Sequence, residues 1–308
     1  MKISVVIPIL YSPKNTLYQK ALESVVRAWK KAGKRVRSHS LTAVLVFNDF
    51  SSTQKLPMHR TNIKVDVITS ALNRGFTGAV NDGVWFAVYQ QEADWCFVLN
   101  DDAVVDPDFF QLIEALKPAH AVVSCGVRNL DGSLQSTGLA YLSTGLTSPL
   151  TRFTHTPYFS GTAFFVSRKL IQESFRHYGW LLAEFFFAYA EDVELSVRLW
   201  RARKKIYIFP RALVAHAGSL TAKRGSQLQL YWGYRNLLYV IILHWPTAKI
   251  LLSLPMLMVG QLNALAILLF KGYWFVYPKI VWSVWKNRAI LRLYRKKFDE
   301  KLTDRYSI

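Results

Sequence analysis

A run of apolar residues ends in a group of side chains that could bind a divalent cation. Residues 95–99 are apolar, and Asn100, Asp101 and Asp102 follow them directly. Carboxylate and amide oxygens are the ligands that Mg²⁺ and Mn²⁺ prefer, and such an ion stabilises a departing diphosphate. Asp and Asn are also common in turns. By itself, the segment therefore fits a metal site and an ordinary polar turn equally well.

A second acidic group, Glu191 and Asp192, precedes apolar residues at helical spacing, Val193, Val197 and Trp200. The pair is therefore expected to open a helix, where the helix dipole and free N–H groups favour an ionised carboxylate. Such a carboxylate can act as a general base towards a hydroxyl group. An acidic helix cap without chemistry is the alternative, and for an isolated pair it is the commoner case.

Three other segments carry residues that could contact a nucleotide or its phosphates. Asp49 follows an apolar run, and its carboxylate could accept hydrogen bonds from a base or a ribose. Arg74 offers a fork of N–H groups to phosphate, and Gly75 allows close approach of the backbone. His216 ends another apolar run, where a neutral imidazole could complete a carboxylate metal site. Each of these residues, taken alone, is also compatible with ordinary structure.

Short apolar runs alternate with amphipathic or polar stretches, and these elements must position the polar residues. Six runs are predicted to be strands: residues 4–9, 42–47, 64–68, 95–99, 121–125 and 161–166. Helical spacing from Leu17 to Trp29 predicts the first crossover helix. Strands joined by helical crossovers predict an α/β sheet. Leu139–Tyr141 and residues 206–209 are predicted to be short added strands, so the sheet is expected to be mixed.

The composition limits the class of protein and its partners. The chain has 308 residues, 51% of them apolar, and a net charge of +19. These values exclude a disordered chain and favour an anionic partner: a nucleic acid, a nucleotide substrate or an anionic membrane surface. Cys96 and Cys125 show no metal-binding spacing, so we expect neither a disulfide framework nor a zinc site, and a reducing compartment. We also expect no signal peptide, because the first strand begins at once.

A change of composition near residue 222 predicts a catalytic domain over residues 1–222 and a helical segment over residues 223–308. Residues 250–270 carry no formal charge and reach the length of a membrane-spanning helix. One proline and two amides interrupt this run: Pro255, Gln261 and Asn263. Because these residues are unfavourable in lipid, we expect a broken helical pair in the membrane interface. A spanning helix and an ordinary soluble core are the alternatives.

Taken in order, these segments resemble the family-2 inverting glycosyltransferases of the GT-A fold, particularly the bacterial rhamnosyltransferase-like branch that builds surface polysaccharides. The resemblance extends from Ile3 to about Asn236. Its motifs are Val5-Val-Ile-Pro8, Asn48-Asp49, Asn73-Arg-Gly-Phe76 with Asn81 and Gly83, Asn100-Asp-Asp102, Ser160-Gly161, Glu184 to Asp192, His216 with Gly218 and Ser219, and Tyr234-Arg-Asn236. It implies a GT-A fold, with a Rossmann-like mixed sheet, followed by a C-terminal membrane-associating extension.

The resemblance also implies roles for individual residues. The nucleotide-sugar donor would contact Pro8, Asp49, Asn73, Arg74, Gly75, Asn81 and Asp101. A divalent metal cofactor, Mg²⁺ or Mn²⁺, would be held by Asp101, Asp102 and His216. The catalytic residues would be Asp192, as the base, and Glu191. The acceptor would lie near Ser160, Gly161 and Glu184. The reaction would be a single in-line displacement with inversion at the anomeric carbon.

Two positions depart from the usual pattern of this family. Asn100 stands where many members carry the first aspartate of the metal-binding motif, which implies that one ligand is neutral or absent. Ala183 stands where relatives often carry an aspartate, so it cannot supply that carboxylate.

The resemblance implies dTDP-rhamnose as the donor, with a UDP-hexose or UDP-galactofuranose as alternatives on the same fold. The expected acceptor is a polyprenyl-linked saccharide at the cytoplasmic face of the inner membrane, and no nucleic acid is expected as a partner. A non-enzymatic binder of anionic polymers would explain the positive charge but not the acidic strand ends. A nucleotidyltransferase would need a glycine-rich basic loop after the first strand, and residues 10–15 match one poorly.

Overall fold

The computed structural model describes residues 1–12, 15–50, 61–153, 156–218 and 225–303, with side chains up to residue 300. The strands are β1 (Lys2–Leu10), β2 (Ser40–Asn48), β3 (Lys64–Ser70), β4 (Trp95–Leu99), β5 (Ala103–Val105), β6 (His120–Asn129), β7 (Leu134–Ser136), β8 (Leu139–Tyr141), β9 (Thr147–Pro149), β10 (Ala163–Ser167) and β11 (Lys205–His216). The helices are α1 (Leu17–Ala32), α2 (Gly75–Tyr89), α3 (Arg168–Tyr178), α4 (Glu191–Arg201), α5 (Gln227–His244), α6 (Thr247–Leu252), α7 (Leu254–Phe270), α8 (Val276–Lys286) and α9 (Arg288–Thr303).

One mixed sheet forms the centre of the molecule, in the strand order β3-β2-β1-β4-β10-β6-β11-β5, with β7 paired to β6. The strands β3, β2, β1 and β4 are parallel, and β10 runs antiparallel between β4 and β6. Beyond β6, β11 is parallel to it and β5 is antiparallel to β11. The predicted mixed α/β sheet is therefore confirmed.

The central strands lie in the sheet because their side chains are apolar on both faces, as buried parallel strands require. In β1, residues 3–9 are all buried. Helix α1 covers one face with Tyr18, Leu22 and Val25, while Lys30 and Lys31 lie in its last turn, where the helix dipole favours cations. Helices α2 and α3 cover the other face. The carboxyl ends of β1 and β4 therefore open at the same edge.

Two of the predicted strands differ from the prediction. The placement of Leu139–Tyr141 in the main sheet was wrong, because this strand pairs with β9 in a separate two-stranded sheet. The ring of Tyr141 instead packs at 5.8 Å from that of Trp245, so its burial comes from the end of α5. Residues 206–209 belong to the 12-residue strand β11, which is an integral strand and not a short addition.

The C-terminal helices pack partly on the catalytic part of the chain. Leu237, Leu243, Leu291 and Phe298 share one apolar cluster with residues of α3 and α4. The apolar run at residues 250–270 is divided into α6 and α7, with the break just before Pro255. Among the described residues, no helix combines the length and the apolar character that crossing a membrane requires.

Candidate active site

A cavity of about 410 Å³ lies at the carboxyl ends of β1 and β4, where open α/β sheets bind their ligands. Ten of the fourteen residues to which the resemblance gives a role line it: Pro8, Asn73, Gly75, Asp101, Asp102, Ser160, Gly161, Glu191, Asp192 and His216. In the described structure, four others do not line it: Asp49, Arg74, Asn81 and Glu184. The fold thus brings the two acidic groups and the histidine to one cavity.

Strand pairing brings His216 to Asp102. In the register of β5 and β11, His216 lies opposite Ala103, the residue after Asp102. The Nε2 atom of His216 is 3.0 Å from Oδ1 of Asp102. This contact lacks hydrogen-bond geometry, and the buried Nε2 has no hydrogen-bond partner in the described structure. On the other side of the ring, Nδ1 lies 3.2 Å from Oε1 of Gln135, and in the tautomer in which Nδ1 donates to this oxygen, Nε2 has a lone pair for a metal.

The His216–Asp102 pair fits two neighbouring ligands of one divalent ion. Adjacent oxygen or nitrogen ligands of an octahedral ion at about 2.1 Å lie roughly 3.0 Å apart. Within the described ranges, no three His, Cys, Asp or Glu side chains form a metal site by themselves. Mg²⁺ is often held by one or two side chains together with substrate phosphates and water. The residues present therefore fit a cation whose coordination the substrate completes. The metal site formed by Asp101, Asp102 and His216 stays a prediction.

The charge of the cavity supports the same interpretation. Four carboxyl groups line it, and no Lys or Arg of the described segments does so. Burial raises the pKa of Asp101 to about 6. The hydrogen bond that Asn15 Nδ2 donates to Oδ2 of Asp101 at 2.9 Å acts in the opposite direction and lowers this pKa. The buried Oδ1 of Asn100 has no hydrogen-bond partner in the described structure. A diphosphate would therefore meet like charges unless a cation lies between them.

The first turn of α4 holds the candidate base at the cavity wall. Oδ2 of Asp192 accepts a hydrogen bond from the N–H of Gly161 at 2.8 Å, and Oδ1 accepts one from Val193. A Cβ at Gly161 would lie only 3.2 Å from Asp192 Oδ2, so glycine allows this approach. Each oxygen keeps a lone pair for a further donor. The predicted start of a helix at Glu191 is confirmed.

Glu191 and Asp192 differ in their surroundings. Burial and the neighbouring Asp192 raise the pKa of Glu191 to about 8, and its buried Oε2 lacks a hydrogen-bond partner within the described residues. Burial also raises the pKa of Asp192, but the N–H groups of Gly161 and Val193 oppose this shift. Both carboxyl groups thus have a raised pKa, but the N–H groups of Gly161 and Val193 stabilise the charged form of Asp192, whereas Oε2 of Glu191 has no such donor within the described residues. This difference makes Asp192 the better base of the pair.

The loop before α4 has a strained backbone that α5 holds in place. Phe187, Tyr189 and Ala190 have φ angles of 67°, 69° and 60°, a region that non-glycine residues rarely occupy. The amide of Asn236 donates to the carbonyl oxygens of Phe186, Ala188 and Tyr189 at 3.0, 2.8 and 2.7 Å. The α5 contacts thus determine where the loop, and with it the first turn of α4, lies.

Gly75 anchors the same loop from the other side. Its φ is +69°, and a Cβ there would lie 2.3 Å from the carbonyl oxygen of Phe187, so only glycine fits. Asn73 Oδ1 accepts a hydrogen bond from the N–H of Gly75, and Asn48 Nδ2 donates to the carbonyl of Gly75. The Asn-Arg-Gly motif therefore has a structural role beside the cavity as well as any role in binding.

Arg74, Asn81 and Glu184 form a structural network. Arg74 contacts Asp82 through both carboxylate oxygens, at 2.7 and 2.6 Å, and Glu184 at 2.7 Å. Burial alone would lower the pKa of Arg74, but the hydrogen bonds that Arg74 donates to Glu184 and Asp82 raise it. Asn81 holds the backbone at Leu182 by a hydrogen bond of 2.8 Å. The donor and acceptor contacts expected of these three residues stay predictions.

Of two further predicted positions, Asp49 lies beside a part of the chain that the structure does not describe, and Ser219 lies within such a part. Asp49 is exposed at the end of β2, with a φ of 60°, and the described chain stops after residue 50. Ser219 lies outside the described residues. The contact between Asp49 and the nucleotide also stays a prediction.

The match to a family model decides the class of protein. The model described as "Glycosyl transferase family 2" matches residues 4–175, which is more than half of the chain. The chain belongs to glycosyl transferase family 2. It is therefore a glycosyltransferase, and the family assignment supports the GT-A fold that the sequence predicted. No curated protein matches its sequence.

Solved structures of TarS from S. aureus, residues 1–349, are similar to this family-2 chain in fold. The complex of TarS with UDP-GlcNAc has a TM-score of 0.56 and 16% identity, and the match covers 98% of this chain and 90% of that one. The complex with UDP has a TM-score of 0.54, with the same identity and coverage. At this identity the likeness shows the fold alone.

Sequence reasoning missed several residues of the site. Asn236 lay within the motifs that carry the resemblance, but nothing in its sequence context pointed to the loop it holds. Gln135 and Asn15 are single polar residues in unremarkable segments. Trp232 also lines the cavity, with its ring 4.8 Å from that of Phe187. Its position among aromatic residues of an apolar helix did not predict a role in the cavity, because such residues usually belong to the hydrophobic core.

Proposed function

We propose that the chain is an inverting glycosyltransferase that moves a hexosyl group from a nucleotide sugar to a hydroxyl group of a saccharide acceptor. One observation carries this proposal. The Asp192 carboxylate lies on the wall of the same cavity as Asp101, Asp102 and His216. A base and an acidic diphosphate site on one cavity are what a single displacement at an anomeric carbon needs.

In this reaction the Asp192 carboxylate accepts the proton of the acceptor hydroxyl. The hydroxyl oxygen forms the new bond to the anomeric carbon as the bond from that carbon to the diphosphate oxygen breaks. The nucleoside diphosphate leaves with the electron pair, and the configuration at the anomeric carbon inverts. Glu191, protonated near neutral pH, adds no second charge beside the base.

Asp101, Asp102 and His216 would hold Mg²⁺ or Mn²⁺ together with the donor diphosphate. When bound, the ion would offset the negative charge of the leaving diphosphate. Gln135 keeps the lone pair of His216 Nε2 directed to that point, and Asn15 orients Asp101. Chelation should abolish transfer, and Asp102→Ala should reduce it at least tenfold to a hundredfold. Full activity of Asp102→Ala in excess chelator would contradict the assignment.

The donor class is a nucleoside-diphosphate sugar. The resemblance to the rhamnosyltransferase-like branch favours dTDP-rhamnose, while the similarity in fold to TarS, which was solved with UDP-GlcNAc, makes UDP-sugars the alternative. Purified protein should be tested with dTDP-rhamnose, UDP-GlcNAc, UDP-galactose and UDP-galactofuranose for release of the nucleoside diphosphate. Release from none of these donors would count against the proposed function.

The base assignment is tested by separating binding from chemistry. Asp192→Asn should slow transfer by roughly 10² to 10⁴ while it leaves donor affinity nearly intact. Asp49→Ala should do the reverse and chiefly weaken donor binding in a calorimetric titration. Asp131→Asn, at an exposed turn that does not line the cavity, is the matched control. Wild-type turnover by Asp192→Asn would exclude this residue as the base.

A membrane surface and a lipid-linked acceptor complete the proposal. Large apolar side chains of α6 and α7 are exposed: Leu251, Leu252, Leu254, Met256, Met258, Val259, Leu262, Leu269 and Phe270. Leu252 and Phe270 are 85% and 94% exposed. A contiguous apolar surface of this kind, among basic residues, fits the interface of an anionic bilayer. We therefore place the chain at the cytoplasmic face of the inner membrane, acting in surface polysaccharide synthesis.

Vesicle sedimentation tests this placement. The chain should bind vesicles containing phosphatidylglycerol more tightly than vesicles of phosphatidylcholine alone, and high salt should release part of it. Leu262→Glu and Phe270→Glu should reduce binding. Leu72→Glu, at a position that is 73% exposed in the loop after β3, is the control and should not. Equal binding by all variants would rule out the α7 surface as the contact.

A further inference from the structure

A second cavity, of about 440 Å³, lies between the first turns of α5 and one face of α8. It adjoins the active site, because Leu228 belongs to the walls of both cavities. Leu228 is 53% exposed and stands on the first turn of α5. The two cavities therefore share the Leu228 side chain as part of their walls.

The wall of the second cavity is basic. Lys279 and Lys286 both line it, and seven residues on one helix place two side chains on the same face, two turns apart. No carboxylate lines this cavity, and neither lysine forms an ion pair within the described parts of the chain. Lys279 Nζ lies 5.1 Å from the centroid of the Phe275 ring. Two ammonium groups without a carboxylate partner among the described residues favour an anion with two charges, such as a diphosphate.

Two aromatic side chains in the wall lead to an exposed apolar surface. Tyr231 and Trp282 line the cavity, and the ring of Trp282 stacks at 4.8 Å on that of Trp285. Val281, Trp282 and Trp285 are 52%, 60% and 52% exposed. An anionic group held at the lysines would therefore lie beside a surface that suits a hydrocarbon chain. This combination fits an amphiphile with an anionic head group and an apolar chain.

We propose that this second cavity binds the diphosphate of a polyprenyl diphosphate-linked acceptor. The isoprenoid chain would lie along the exposed apolar side of α8, and the attached sugar would pass Leu228 towards Asp192. This inference rests on the proposed function, since it names the acceptor of the same reaction. The cavity lies at the side of α8 that faces α5, so the lipid end of the acceptor and its reacting hydroxyl would be held by different elements.

Calorimetric titration of the full chain with farnesyl diphosphate, in excess chelator, tests the site. The double variant Lys279→Gln/Lys286→Gln should weaken binding at least tenfold. The double variant Lys20→Gln/Lys30→Gln removes the same charge from the exposed face of α1 and should bind as the wild type does. Inorganic pyrophosphate and farnesol, each lacking one half of the probe, should both bind at least tenfold more weakly than farnesyl diphosphate.

Three results would overturn the proposal. Unchanged affinity in the Lys279/Lys286 double variant would remove the lysines from the site. Equal affinity for inorganic pyrophosphate would show an anion site without lipid selectivity. Displacement of farnesyl diphosphate by UDP would mark a nucleotide site. Release of nucleoside diphosphate by the wild-type chain is measured separately, so a failure of the proposed function is distinguishable from a failure of this site.

Discussion

Asn236 is buried on α5, remote in sequence from Asp192, the proposed base. Its side chain amide donates to three carbonyl oxygens of the loop before α4. We predict that Asn236→Leu, which keeps a similar volume and removes the donors, impairs catalysis more than it impairs folding. The leucine cannot offer a hydrogen to any of the three carbonyls, so the loop loses the contacts that hold its strained backbone.

Two opposing contributions determine how much Asn236→Leu changes the free energy of unfolding. The carbonyl of Phe186 keeps the hydrogen bond from Arg235 Nη2 at 2.7 Å, so the loss concerns the carbonyls of Ala188 and Tyr189, and each lost donor costs about 1–3 kcal/mol. Against this, the positive φ angles of Phe187, Tyr189 and Ala190 each store about 1–3 kcal/mol, which the loop recovers when it relaxes. We therefore expect the free energy of unfolding to fall by only about 1–3 kcal/mol. Relaxation displaces the first turn of α4, and a misplacement of about 1 Å lowers the rate roughly a hundredfold.

The assay is nucleoside diphosphate release at saturating donor, together with urea unfolding of the same preparations. For Asn236→Leu, kcat should fall roughly a hundredfold while KM for the donor changes little. Tyr239→Phe is the matched control, because it removes buried hydrogen bonds from the same helix at Ser283 and Asn287 and leaves the loop contacts in place. If both variants lost activity equally, or if Asn236→Leu kept wild-type kcat, the positioning role would be refuted.

Three further predictions concern buried polar groups. Glu191→Gln should raise the melting temperature relative to wild type more at pH 8 than at pH 5, because the pKa of Glu191 is raised from 4.5 to about 8 and its stabilising protonated form is lost as pH rises through that window. Glu194→Gln should lower the free energy of unfolding by about 3–5 kcal/mol in urea, since Arg198 keeps a buried charge, and adding Arg198→Met should restore part of it. Gln135→Leu should weaken Mn²⁺ binding in a calorimetric titration by roughly tenfold to a hundredfold, through loss of the His216 tautomer, while Gln135→Glu should largely preserve it.

The sequence predicted the elements that depend on local composition. Continuous apolar runs predicted β1, β2 and β4, because a strand buried on both faces has no room for polar side chains. The start of α4 at Glu191 could also be predicted, since the spacing of the apolar residues after it is helical. These elements are determined by residues that are neighbours in the sequence. The predicted strands also locate candidate site residues, because the carboxyl ends of parallel strands meet at one edge of the sheet.

The parts that could not be predicted depend on pairing between distant residues. The contact of His216 with Asp102 arises from the register of β5 with β11, and β5 is only three residues long. Leu139–Tyr141 reads as a strand of the main sheet, but its burial comes from Trp245, about a hundred residues later. Asn236 reaches its carbonyls only because α5 packs beside α4. Neither composition nor periodicity predicts contacts between residues that are so far apart in the sequence.

Helix α5 connects three functional regions through one rigid element. Its 18 residues span about 27 Å at the usual helical rise. Leu228 on its first turn contacts both cavities, Asn236 near its middle holds the catalytic loop, and His244 at its end lies 3.1 Å from Glu194 of α4. A helix of this length cannot tilt at one end without moving the other. A ligand bound between α5 and α8, as proposed for the acceptor lipid, would therefore contact the same helix that holds the loop before α4.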